Sequence, residues 1–136
     1  MKLPTNRAEA KLLRRALLGN AAFSATCGAL IVTFDARIVG LMTSVQYPIW
    51  PLGLTLLAFA ASLLWISIRP AIGSVWVISV IVADLGWVAG TVGVLLGWHG
   101  MLTAAGLWIL AVVGLFVFVF AELQWLGLRR LRGAAT

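Results

Sequence analysis

The chain has 136 residues, of which 62% are hydrophobic and only 10% charged, with a net charge of +6; a soluble domain carries about 25% charged residues and roughly 45–50% apolar ones. Such a chain cannot cover its own apolar surface, which excludes an ordinary soluble domain. Its basic excess also lacks the soluble, aromatic-interleaved face of a nucleic-acid binder, so no nucleic acid is expected as a partner.

The first apolar block spans 13–34 and follows Lys11, Arg14 and Arg15. Asn6 with Glu9 three residues later reads as a capping box, so this helix begins as an amphipathic turn or two before entering lipid. The block is too long for a signal peptide, and no small-residue cleavage site precedes a soluble mature domain. The segment from Asp35 to Pro48 keeps an apolar character through Ile38, Val39, Leu41 and Met42. It is too short to span, and the expectation is a helical turn or re-entrant piece lying in the interface plane.

The second block, 49–68, carries Pro51 in its first turn, where a missing N–H costs nothing, and stops at Arg69 and Pro70. The third, 74–98, has Ser74 as its expected N-cap, and the fourth covers 103–128. At 1.5 Å per residue each crosses a hydrocarbon layer of about 30 Å with some tilt. The length allows one domain. The expected fold is therefore an all-α membrane protein, with residues 1–136 forming a single bundle of four transmembrane helices in the lipid bilayer. Its two halves do not look like copies, so an internal inverted repeat finds no support.

Orientation follows from the basic residues, since cytoplasmic loops retain Lys and Arg. Of the ten, Lys2, Arg7, Lys11, Arg14, Arg15, Arg69, Arg129, Arg130 and Arg132 fall on one side, and only Arg37 falls on the other. Both termini are accordingly expected in the cytoplasm, and dual topology is disfavoured. Trp50, Trp98 and Trp125 mark block ends as an aromatic belt does, with Trp65, Trp76 and Trp108 about a turn deeper. Trp87 stands near the middle of the third span. Its simplest reading is packing inside the bundle with the N–H bonded to a neighbour, and the alternative is stacking against a ligand.

The candidate functional residues are the polar groups inside the spans. Asp84 lies ten residues, or about 15 Å, into the third helix, close to the bilayer midplane. A carboxylate there is costly, so it should face the interior and be paired, hydrated or protonated. Helical spacing puts Asp84, Trp87 and Thr91 on one stripe. Asn20, Ser24 and Cys27 recur along one face of the first helix, and Glu122 and Gln124 stand near the basic end of the fourth. A cluster of Asn20, Ser24, Asp84 and Glu122 is therefore geometrically accessible. Against it stand ordinary interhelical hydrogen bonding, worth about 0.6 kcal/mol per contact, and snorkelling of Glu122 toward Arg129. A second pattern is the strip Ala83, Gly86, Gly90, Gly93 and Gly97, a smooth helix-packing face roughly 110° around the helix from Asp84.

Other chemistries lack their residues. One cysteine, Cys27, allows neither an intrachain disulfide nor a CxxC pair. One histidine, His99, sits in a loop and provides neither bis-His haem ligation nor a His-rich metal site. No phosphate-binding glycine motif or nucleophile–histidine pair is visible. No catalytic residue, metal site or cofactor is assigned.

The stretches LLRRALLGNAAFSATCGALIVTF and DARIVGLM, with ADLGW in the third span, resemble uncharacterised small four-helix bacterial inner-membrane proteins, and the layout is similar to the DoxX-like group. The resemblance covers most of the chain as architecture and places no catalytic residue. It implies a bacterial inner-membrane bundle, an accessory to a redox or export system. Two functions are compatible with this reading. One is a non-enzymatic subunit or modulator associating through helix packing with itself, as a homo-oligomer, or with a larger membrane complex. The other is a small proton- or cation-coupled transporter or ligand-binding bundle using Asp84.

Overall fold

A computed structural model describes residues 7–133, with side chains from residue 10 onward; the Asn6–Glu9 capping pair lies outside the described side chains. Four helices follow in order: α1 (Arg7–Met42), α2 (Trp50–Ile68), α3 (Ser74–Gly97) and α4 (Ala104–Gly133), with a short 3₁₀ turn at His99–Met101. Each α-helix is long and apolar enough to cross a membrane. Large apolar side chains point outward along all four, Leu96 being 75% and Trp108 73% exposed. That is the inside-out character of an integral membrane protein, since a soluble bundle exposing so much apolar surface would aggregate.

The helix boundaries depart from the sequence expectation at a few ends. α1 does not stop near residue 34: it breaks there, at Phe34 (φ −120°, ψ 27°), and continues as helix to Met42. The break brings Asp35 to the start of α2, where its carboxylate accepts the Ile49 N–H at 2.7 Å. α2 has Ile49 as its N-cap residue and no side-chain cap of its own, so a carboxylate from the preceding helix supplies both the acceptor and the favourable charge. The N-cap of α3 is Gly73, without a side-chain cap, and not Ser74, which begins the helix itself. Thr103 caps α4, its Oγ1 accepting the Gly106 N–H at 2.9 Å.

The helices pack in the spatial order α2, α1, α4, α3, with α1 against α2 and α4, and α3 against α4. Glycine sets these contacts. A Cβ on Gly28 would lie 2.8 Å from the Gly53 carbonyl oxygen at the α1–α2 crossing, and one on Gly127 3.0 Å from Leu13 Cα between α4 and α1. A Cβ on Gly114 would lie 3.0 Å from Thr91 Cγ2 between α4 and α3, and one on Gly106 would collide with the Met42 carbonyl.

At one end of the bundle, Arg14 and Arg69 show how the helices are fastened. The Arg14 guanidinium donates to the carbonyls of Ser67, Arg69 (2.6 Å) and Pro70 (3.0 Å). It thereby satisfies groups that the C-terminus of α2 leaves free. Arg69 lies 3.6 Å over the Trp65 ring, and Trp65 meets Trp76 edge to face at 5.7 Å, which ties α2 to α3 at this end. The apolar core sits just inside it: Leu13, Leu17, Leu63, Ile66, Val77, Val80, Ile81, Leu128 and Leu131, drawn from all four helices.

Candidate functional site

Directly beyond this apolar core, α1 turns Asn20 and Ser24 inward, α3 turns Asp84 and α4 turns Gln124. Asp84 is 3% exposed, and Asn20 and Gln124 are fully buried. Asn20 Nδ2 donates to Asp84 Oδ2 at 2.7 Å, and Gln124 Nε2 donates to the same oxygen at 3.4 Å. Ser24 Oγ donates to Asn20 Oδ1 at 3.3 Å, so the serine orients the amide that holds the carboxylate. Each position belongs to the buried stripe of its helix. In α1 the stripe is Leu13, Leu17, Asn20, Ser24 and Gly28; in α4 it is Gly114, Val117, Ala121, Gln124, Leu128 and Leu131. Spacings of three and four residues put each set on one face.

The structure therefore brings together Asn20, Ser24 and Asp84 as the sequence pattern suggested, but not Glu122, which is exposed. Glu122 and Gln124 are two positions, about 200°, apart on a helix, so only one of them can face inward. Gln124 shares its face with Gly127, Leu128 and Leu131, all buried, whereas Glu122 shares a face with Arg129. That register was readable in the sequence and selects Gln124. Thr91 is buried as expected, against Gly114.

Both amides spend their donors on Oδ2. Asp84 Oδ1 makes no hydrogen bond, and it is not sealed inside protein, unlike Gln124 Oε1 and Trp87 Nε1, which are buried without partners. Among the described residues no Lys, Arg or His forms an ion pair with Asp84. The carboxyl group is thus fixed by neutral groups on one oxygen and open on the other.

Asp84 also lines a cavity of about 190 Å³ between α2 and α3, floored by α1 and α4. Asp84 and Ser24 are the polar groups nearest the cluster in its wall, and Phe23, Phe59 and Trp87 are its aromatic members, with Cys27 beside them. Phe23 is held by stacking on Phe116 at 5.4 Å between ring centroids and by Phe120 at 5.8 Å. Trp87 corrects one expectation: it is part of the bundle wall, but its N–H finds no neighbour to bond. What it presents to the cavity is ring carbon.

The remaining candidate residues lie elsewhere. Ala83 also reaches the cavity wall, but nothing stands within 4 Å of a Cβ built on Gly86, Gly90, Gly93 or Gly97. The strip faces out of the bundle, while Gly28, Gly53, Gly106, Gly114 and Gly127 make the contacts within it. Among the described residues no three His, Cys, Asp or Glu side chains stand close enough to hold a metal ion. Comparison with protein-family models, curated proteins and solved structures finds no match, so the functional reading rests on the chain's own geometry.

Proposed function

We propose that this protein is a non-enzymatic ligand-binding bundle of a bacterial inner membrane, with both termini in the cytoplasm and Asp84 as the group that recognises the ligand. The distribution of nine basic residues at one end supports the orientation, and the layout shared with small four-helix proteins, DoxX-like ones among them, supports the bacterial inner membrane. The observation that carries the binding role is Asp84 itself. Two amides from neighbouring helices hold one carboxyl oxygen and leave the other without a hydrogen bond, and Asp84 lines an apolar cavity. A purely structural aspartate would be expected to use both oxygens, because an unsatisfied acceptor away from water costs about 1–3 kcal/mol.

The test is native mass spectrometry of protein released from nanodiscs. Wild type should carry a bound small molecule. Leu56→Trp, which fills the cavity from α2 and leaves Asn20, Ser24, Asp84 and Gln124 themselves unchanged, should lose it. Equal occupancy in the two proteins would sink the cavity reading.

The open glycine strip of α3 favours a second reading, in which the protein is a subunit or modulator that associates through α3 with itself or with a larger membrane complex. Glycine-lined helix faces let backbones approach closely in lipid. The two readings use different faces of α3 and are compatible in one molecule.

A further inference from the structure

We infer that the ligand of the cavity between α2 and α3 is a lipophilic organic cation, an ammonium group on a ring-sized apolar body, whose charge pairs with Asp84 Oδ1. This rests on the binding role proposed above and names its chemistry.

Three observations lead to it. The first is charge. Asp84 lies in mid-helix in a chain whose surroundings are apolar, and its partners, Asn20 and Gln124, are neutral amide donors. Among the described residues no basic side chain pairs with it, which leaves the carboxyl group available to a cationic ligand. Embedded charges of this kind find partners or mark ligand paths.

The second observation is the wall. Phe23, Phe59 and Trp87 come from three different helices, and a cation over an aromatic face is attracted by the ring quadrupole. Trp87 keeps its N–H sealed away and so offers no donor that would select an anionic or carbonyl head. An anion would also meet the Asp84 charge directly.

The third is size. A dry protein cavity of about 150 Å³ takes up benzene, so about 190 Å³ accommodates one ring and its ammonium substituent. A longer apolar tail would leave through the seam between α2 and α3, the one neighbouring pair without extensive backbone contact.

The test uses the full-length protein in phosphatidylcholine nanodiscs, a zwitterionic surface that does not itself concentrate cations. The probes are 4-butylbenzylamine, which is protonated at neutral pH, and 4-butylbenzyl alcohol, a neutral donor of the same shape. Binding is read as depletion of free probe beyond that in empty nanodiscs. Its location is read from the indole ¹⁵N–¹H signal of Trp87, identified by its loss in Trp87→Phe.

Wild type should prefer the amine by about tenfold, as expected for a charge-assisted over a neutral hydrogen bond, with the Trp87 signal moving in step. In Asp84→Asn the preference should fall to about one. In Leu56→Trp neither probe should bind, and this variant keeps the location testable if Asp84→Asn fails to fold. Equal affinity of wild type for amine and alcohol would overturn the cation and leave the cavity reading standing. Amine preference that persists in Asp84→Asn would overturn the role of Asp84. Binding of neither probe to wild type would overturn both this inference and the reading beneath it.

Discussion

The two kinds of glycine in this chain should respond in opposite ways to the same added methyl group. Gly28 and Gly90 both lie in helix interiors, so Gly→Ala brings each a similar gain in helix propensity, up to about 1 kcal/mol on the scale measured in water. The surroundings differ. At Gly28 the new Cβ would stand 2.8 Å from the Gly53 carbonyl oxygen, 3.0 Å from Leu57 Cγ and 3.1 Å from Leu57 N. Two of those three are backbone atoms that cannot rotate away, and α1 must move off α2. At Gly90 nothing lies within 4 Å. Overpacking of this type costs about 1–3 kcal/mol. Because the propensity gain is common to both, the difference between the variants isolates that cost. In equilibrium unfolding by SDS from mixed micelles, followed by far-UV circular dichroism, Gly90→Ala should match or exceed wild type, and Gly28→Ala should unfold roughly 5- to 150-fold more readily. Stabilities that agree within about 0.5 kcal/mol would show that α1 and α2 do not cross at Gly28.

Other consequences can be checked in the same way. Asn20→Leu removes the 2.7 Å bond to Asp84 and should destabilise the bundle by about 1–3 kcal/mol, whereas Gln124→Leu gives up a 3.4 Å contact together with an unpartnered Oε1 and should change stability by less than about 0.5 kcal/mol; similar losses in SDS unfolding would refute the unequal roles assigned to the two amides. Reporter fusions at Thr136 and beside Arg69 should read as cytoplasmic and one near Tyr47 as external, and an external C-terminus would break the proposed orientation. Gly90→Leu should abolish self-association, measured by chemical cross-linking in native membranes, while leaving the monomer folded; unchanged cross-linking would place the strip against lipid only.

The four spans were legible because their signal is summed over about twenty residues each, and no local competition reverses it. Their ends were less so, for reasons visible in particular side chains. The segment 35–48 reads as a helical turn or re-entrant piece; residues 35–42 are helical and continue α1 past the break at Phe34, with Asp35 serving α2 and Met42 backing onto Gly106, contacts between elements that periodicity within one segment does not report. Helical spacing puts Asn20 and Ser24 on one face, and depth along the spans makes their meeting with Asp84 geometrically accessible. Glu122 joins that group by its depth along the fourth helix, whereas the stripe of small and apolar residues containing Gln124 carries the directional information. The glycine strip shows the complementary limit. Regular spacing identifies a smooth face, but Gly86, Gly90, Gly93 and Gly97 repeat more regularly than Gly28, Gly53 and Gly114, and it is the irregular set that the bundle uses.

That contrast bears on how the molecule is held together in lipid. Without a hydrophobic drive between helices, close packing and hydrogen bonds must hold them, and glycines are placed accordingly at the α1–α2, α1–α4 and α3–α4 contacts. The α2–α3 seam has no such glycine. It is joined through Trp65, Trp76 and Arg69 at the basic end, and farther along it the space is taken by the cavity. Asp84 stands where the packed part of the seam gives way to that space, tied by Asn20 and Gln124 to the two helices that do pack tightly. The carboxyl group is therefore positioned by the rigid α1–α4 side of the bundle and directed toward its least tightly joined side. On the binding role proposed above, that arrangement keeps the carboxyl group in place beside the seam through which a ligand would enter.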